Sequence, residues 1–426
     1  MKLVATPGGT IAGEATIPGD KSCSHRALIL AAMADGESHI RGLLESEDVM
    51  ATAAALAAFG VAVERLGTCE WRVRGGRWSS PEGVVDCGNS GTAARLLIGA
   101  VAGMEGVVAT FAGDESLGSR PMRRVTAPLE RMGARIEGGD RLPLTVHGAR
   151  LGGIDFSNVP ASAQVKSAIL LAGLSTSAPV NVEEPLPSRD HSEIMLGIFG
   201  AEVAGGRLGD QRRLTGCKLE IASDPSSAAF PLVAAAIVDA SSVTVRNLLV
   251  NPLRTGLYET LEAMGAGLLL SNERLQSGEV VADVRLNHRL LEPCHVMPEQ
   301  IASMIDEIPA LAVACAFADG ESVIEGLAEL KVKESDRLGA VVAGLIACGV
   351  AVVADGDALR IFGRGRVRGG AKVFTHGDHR IAMAFLTLGL GAERPVEVDR
   401  AEMVATSFPG FVEVMRGIGA NIEERA

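Results

Sequence analysis

The 426-residue sequence predicts an α/β protein of six repeated units, which divide into two groups of three. Two alternating signatures predict it. The first is a helix of small apolar residues opened by a polar or glycine-containing turn. The second is an amphipathic helix that ends in a glycine and runs into a short apolar stretch. Both occur six times, in order, and β-rich segments such as "SVTVRNLLV" and "SVIEGL" follow most of the helices. Each unit therefore reads as strand–helix–strand–helix–strand.

The first signature comprises "GDKSCSHRALILAAMADG", "GNSGTAARLLIGAVAGMEG", "ASAQVKSAILLAGLSTSAP", "DPSSAAFPLVAAAIVDASS", "IDEIPALAVACAFADGES" and "GDHRIAMAFLTLGLGAERP". In the first of these, Ala27–Ala34 is a run of helix formers and Gly36 reads as its stop. The second signature comprises "LAAFGVAVE", "LERMGARIE", "LGIFGAEV", "LEAMGAGLL", "LIACGVAVV" and "MRGIGANIE". Its stops are Gly60, Gly133, Gly200, Gly265, Gly349 and Gly419, spaced by 73, 67, 65, 84 and 70 residues. Glycine suits the position after a helix because it takes the left-handed conformation without strain.

Composition narrows the function. With 47% apolar and 22% charged residues the chain suits a protein of two or more domains. A formal charge of −12 argues against general attraction to nucleic acid or acidic membranes, and one Tyr with two Trp gives little for bases to stack on. The seven cysteines are odd in number and form no CxxC pair, which predicts reduced thiols. The opening "MKLVATPGGT" has no apolar signal core, and the longest apolar run, Ala310–Ala318, is too short to span a bilayer. These features predict a soluble cytoplasmic protein.

The starts of the small-residue helices carry the chemistry. Lys21, Ser22 and Arg26 open the first; Asn89, Ser90, Gly91, Thr92 and Arg95 the second; Ser162, Gln164 and Lys166 the third. Asp306 and Glu307 open the fifth, and His379 and Arg380 the sixth. A helix N-terminus repels cations by about 0.3–1 kcal/mol each. Cations placed there, two of them among only seven lysines, predict a multiply charged anion. Two further basic segments are "SLGSRPMRR" and "LKVKESDRLG". Solvated helix ends with surface ion pairs would explain any one of these, but not their recurrence.

Familiar motifs fail on spacing. "GDKS" lacks the P-loop spacing, "GNSGT" has Thr92 where a nucleophile elbow needs glycine, and "GRGRVRGG" is not GxGxxG. His376, His379 and the adjacent Cys294-His295 lack a third clustered metal ligand, so they read as hydrogen-bonding residues at turns. Asp306 and Glu334 are the acid–base candidates, although an aspartate such as Asp306, taken alone, is more often a helix cap worth about 1 kcal/mol than a catalyst. Pro309, in the first turn, agrees with that capping role.

Together, "PGDKSCSHRAL", "GNSGTAAR", "GDESLGSRPM", "ASAQVKSA", "MIDEIPALAVA", "LKVKESDRL" and "HGDHRIAMAF" resemble the enolpyruvyl transferases. The likeness runs in order from about Ile17 to the C-terminus. "GDKSxSHR", "ASAQVKSA" and "RDHSE" are closest to the class II, bacterial branch that acts on 3-phosphoshikimate. The resemblance implies two domains, each of three βαβαββ copies, with helix N-termini facing the cleft between them. The first domain would be discontinuous, residues 1–17 and 225–426, and the second residues 18–224, with crossings near 12–18 and 219–225.

It also implies a reaction and its residues. The carboxyvinyl group of phosphoenolpyruvate would pass to the 5-hydroxyl of 3-phosphoshikimate by addition–elimination, in the shikimate pathway toward chorismate and the aromatic amino acids. Lys21 matches a lysine touching both substrates; Ser22 and Arg26 match 3-phosphoshikimate contacts. Ser162, Ala163 and Gln164 match the segment holding its phosphate and ring, with Gln164 also near phosphoenolpyruvate, and Arg189 is a further phosphate ligand. Gly91, Arg120, Arg337 and Arg380 match the phosphoenolpyruvate site, where glyphosate also binds. Asp306 matches the acceptor of the 5-hydroxyl proton, Lys333 lies beside it, and Glu334 matches the group moving a proton at the methylene carbon.

No metal or redox cofactor is implied, the partners are small molecules only, and the chain is expected to be a monomer. Two departures stand out: Thr406 in "ATSFPGF" replaces a lysine of other branches, and Glu329 replaces an asparagine. A sister enzyme that uses a UDP-sugar is the nearest rival, but it carries a cysteine in the loop that reads "GDESLGSRPM" here. A non-catalytic anion-binding module is the other alternative. Asp306 and Glu334 argue against it, since neutral or basic groups would bind anions better.

Overall fold

A computed structural model describes residues 1–425. The six units are present as six four-stranded sheets, each built on one plan. In the sheet formed by residues 85–147, Val85–Asp86 lies parallel to Val108–Ala112, and the hairpin Arg135–Gly138/Leu144–His147 adds antiparallel with its second strand inside. The helices Gly91–Ala102 and Arg123–Arg131 connect these strands, giving βαβαββ. Each unit thus has one strand more than the helix pattern alone predicts.

Several sheets take a strand from far away in sequence. Lys218–Glu220 runs parallel to Gly36–Arg41, and Ala12–Glu14 runs parallel to Ser242–Leu249. Lys2–Thr6 lies between Val396–Val398 and Asn421–Arg425, antiparallel to both. The chain forms two compact units: one comprises residues 1–18, 222–275 and 280–426, the other residues 19–221 with the hairpin tip 276–279.

The small-residue helices are the cores of these units. Lys21–Met33, Gly91–Ala102 and Ala163–Gly173 belong to the second unit; Pro225–Ile237, Ile308–Phe317 and His379–Gly391 belong to the first. Every residue of Pro225–Ile237 and of Ile308–Phe317 is buried, as expected of helices apolar on all sides. Small side chains let such helices touch at the backbone. A Cβ on Gly99 would come within 2.5 Å of the Ala168 Cα, so only glycine permits that approach. Around the first unit's helices, Leu3, Phe230, Phe385, Phe408 and Phe411 join one apolar cluster.

All six glycine stops of the second signature have positive φ, from +84° to +105°. The stop expected at Gly36 is different. The first helix begins at Lys21 and ends at Met33, Ala34 is already extended, and Gly36 opens the next strand. Gly36 shares the positive φ of the other stops, +96°, but takes it two residues beyond Ala34, where the chain turns into the sheet.

Candidate active site

In the second unit the predicted residues gather at three helix N-termini. Asp20 caps the first helix by accepting the Cys23 N–H at 2.7 Å, which makes Lys21 the first helical residue. Lys21 is ion-paired with Asp48, a buried carboxylate that offsets the dipole's repulsion of the ammonium. Ser22, one residue on, gives its carbonyl to the Arg26 guanidinium at 3.0 Å. Arg26 also donates to Ser192 and Ser167, each at 2.8 Å, and burial pushes its pKa down. His25, flanked by Lys21 and Arg26, is pushed well below the ordinary imidazole value, by burial first and by those cations second. Its ring lies 2.7 Å from Thr52 Oγ1 and 3.4 Å from Ser90 Oγ, joining the first helix to the cap of the second.

Ser90 caps that second helix through the Ala93 N–H. Gly91 is its first residue, and a Cβ there would lie 3.0 Å from Arg95 Nη1 and 3.4 Å from Arg120 Nη1. Arg120 donates to Asn89 Oδ1 at 2.7 Å and Ser116 Oγ at 3.1 Å. Arg95 donates to Gln164 Oε1 at 2.6 Å, while Gln164 donates to Thr92 at 2.9 Å. Gly91, Arg120 and Gln164 are thereby brought together through Arg95. Ser162 is the N-cap of the third helix but its side chain does not close the cap, and Ala163 gives its carbonyl to Ser167. Arg189 precedes the helix His191–Ile198.

The first unit holds the acid–base candidates in one network. Arg337, with a fully buried side chain, lies 3.1 Å from Asp306, 2.5 Å from Glu334 and 2.8 Å from Asp378. Burial alone would lower its pKa, but the three carboxylates raise it above the ordinary arginine value. Asp378 is likewise buried, and Arg337's charge holds its carboxyl below the usual range against that burial. Lys333 Nζ is 3.5 Å from Asp306 Oδ1, and Arg380 donates to the Asp306 carbonyl at 3.1 Å. Asp306 is not a cap: Glu307 occupies that position, and the Asp306 carboxylate faces Lys333 and Arg337 instead. Pro309 does lie in the first turn.

A family model described as EPSP synthase (3-phosphoshikimate 1-carboxyvinyltransferase) matches residues 5–415. The chain belongs to the EPSP synthase family. It is 51% identical to the 3-phosphoshikimate 1-carboxyvinyltransferase of Caulobacter vibrioides strain NA1000, over 99% of both chains. It is 52% identical to that of Phenylobacterium zucineum, over 99% of this chain and 95% of the relative. A solved EPSP synthase from Acinetobacter baumannii superposes with a TM-score of 0.88 at 39% identity, covering 99% of this chain and 100% of the other.

Some members of these networks escaped sequence reasoning. Asp48 looks like an ordinary acidic residue in the first turn of its helix, and nothing local marks it as the partner of Lys21. Asp378 had a signal, since "GDHR" places a capping aspartate before a helix; its bond to the Arg380 N–H at 2.9 Å is that cap. Thr406 is buried and donates to the Met403 carbonyl at 2.7 Å, so its hydroxyl serves its own turn. Among the described residues one His/Cys/acid group has metal-like spacing: Asp20, Cys23 and His191, within 4.8 Å. Hydrogen bonds already engage it, through the Cys23 N–H on Asp20 and Glu279 2.6 Å from His191 Nδ1.

Proposed function

We propose that this EPSP synthase family member transfers the carboxyvinyl group of phosphoenolpyruvate to the 5-hydroxyl of 3-phosphoshikimate and releases phosphate. The observation that carries the chemistry is a pair of carboxylates, Asp306 and Glu334, held by one buried guanidinium, Arg337. Asp306, fixed beside Lys333 and Arg337, keeps a set direction, as a proton acceptor must.

Asp306 takes the proton of the 5-hydroxyl as that oxygen bonds to C2 of phosphoenolpyruvate, and Glu334, having first taken up a proton from solvent, delivers it to C3. The tetrahedral product then returns the C3 proton to Glu334 and releases the phosphate, regenerating the double bond, and the phosphate takes the proton held by Asp306. Lys21 contacts both substrates. Ser22, Arg26, Ser162, Ala163, Gln164 and Arg189 take the sugar-like acceptor with its phosphate, while Gly91, Arg120, Arg337 and Arg380 take phosphoenolpyruvate. Arginine suits this task because its planar fork meets two oxygens of a carboxylate or phosphate at once.

The reading has the enzyme act as a cytoplasmic monomer on small molecules. In support, all seven cysteines are free thiols, and among the described residues no helix is long and apolar enough to cross a membrane. The UDP-sugar alternative is disfavoured by the segment 113–122, which holds no cysteine. Phosphate release from phosphoenolpyruvate, with 3-phosphoshikimate or UDP-N-acetylglucosamine as acceptor and with or without a chelator, tests the reading. Release with 3-phosphoshikimate alone, indifferent to the chelator, is expected; release with the UDP-sugar overturns it.

A further inference from the structure

One buried ion pair in the second unit is made of two residues that are not themselves predicted substrate contacts, yet it borders several residues that are. Glu184, whose side chain is 7% exposed, receives four hydrogen bonds, the full capacity of a carboxylate. Its Oε1 accepts from Asn158 Nδ2 and Ser188 Oγ, both at 2.6 Å; its Oε2 accepts from the Ser188 N–H and Lys166 Nζ, both at 2.9 Å. Each donor leads to a substrate-facing segment. Asn158 also donates to the Ser162 carbonyl at 3.0 Å, Ser188 immediately precedes Arg189, and Lys166 lies one turn into the helix that Ser162 caps. Lys166 reaches further, to Glu193 at 2.8 Å, on the same short helix as the Ser192 that holds Arg26.

We propose that Glu184, paired with Lys166, is a positioning residue for the 3-phosphoshikimate half of the site, fixing the Ser162 and Arg189 segments relative to each other. The inference rests on the functional reading above. Burial opposes the charge on Glu184, but bonds from Ser188 and Lys166 hold its carboxyl below the ordinary value, so it accepts from all four donors. An amide in its place offers one carbonyl oxygen and turns its NH2 toward a donor, so it cannot hold both segments. The phosphoenolpyruvate contacts are anchored elsewhere, Arg120 by Asn89 and Ser116. Loss of the pair should therefore be felt by one substrate.

The test is steady-state kinetics of Glu184→Gln, Lys166→Met, the double variant and the milder Ser188→Ala, beside the parent. Glu184→Gln should raise the KM for 3-phosphoshikimate about tenfold, the scale of one charged hydrogen bond. The KM for phosphoenolpyruvate should stay within about twofold. The double variant should be little worse than the worse single, because both break one unit. If Glu184→Gln does not fold, Ser188→Ala decides, through a smaller rise in the same KM. Both KM values rising together, or lowered thermal stability with neither KM changed, overturns the positioning role alone. A parent that does not turn over 3-phosphoshikimate overturns the functional reading and this role with it.

Discussion

Replacing Arg337 with methionine would leave Asp306, Glu334 and Asp378 without the guanidinium that lies 2.5–3.1 Å from all three. Methionine roughly fills the volume, so the loss is chiefly electrostatic. Stranding a buried charge by removing its partner costs about 3–5 kcal/mol. For a unit of this size that is a fall in Tm of roughly 6–20 °C, at about 2–4 °C per kcal/mol. The pH dependence separates this cause from poor packing. In the parent, Asp378 is held below the ordinary carboxylate value, so its contribution is present above about pH 4 and is lost as pH falls through the depressed pKa. In the variant, burial and neighbouring carboxylates would raise the folded-state pKa values instead, so acid favours folding. The gap in Tm between parent and Arg337→Met should therefore narrow from pH 7 to pH 5, read by calorimetry at both. A gap below about 2–4 °C, which corresponds to the ~1 kcal/mol of an exposed pair, would refute the reasoning, as would one that does not change with pH.

Asp306→Asn, which keeps the shape and removes the base, should lower kcat by about 10²–10⁴-fold with little change in either KM; normal turnover would return Asp306 to a structural role. Gly91→Ala should weaken glyphosate more than phosphoenolpyruvate. The new methyl would press on Arg95 and Arg120 at 3.0 and 3.4 Å. Those are the ends of flexible side chains, so the smaller ligand should lose about 1 kcal/mol and the longer one up to about 3. Inhibition kinetics against phosphoenolpyruvate measure both losses, and equal losses sink the argument.

The repeat plan was legible because it is written locally. A glycine that must adopt positive φ after an amphipathic helix leaves its mark within a few residues, and all six such marks hold. So do the cationic helix starts at Lys21, Gly91–Arg95 and His379–Arg380, whose polar residues interrupt otherwise apolar runs. Long-range pairing left no such mark. Nothing in "KLVAT" names Val396–Val398 or Asn421–Arg425 as its neighbours, and nothing in "SEDVM" names Lys21 as the partner of Asp48. Asp306 shows the limit of propensity: an acid two residues before "IP" reads as a cap, while the fold gives that position to its neighbour Glu307 and turns Asp306 toward Lys333 and Arg337. Glu184 is the converse case. Its surroundings "VEEPLPS" look like an exposed loop, and only the fold encloses it.

The strand Lys2–Thr6 has a consequence for how the chain is made. Its neighbours in the sheet, Val396–Val398 and Asn421–Arg425, are added by the ribosome about 390 residues or more later. At about 5–20 residues per second, residues 2–6 wait roughly 20–80 s after emerging before either neighbour exists. Residues 19–221, by contrast, form a unit that is complete but for the hairpin tip 276–279 long before then. Synthesis thus carries one nearly finished body while the short strand Lys2–Thr6 remains unpaired. That strand can enter its sheet only after residues 19–221 have been made, so its sheet closes late whatever the order of the other steps.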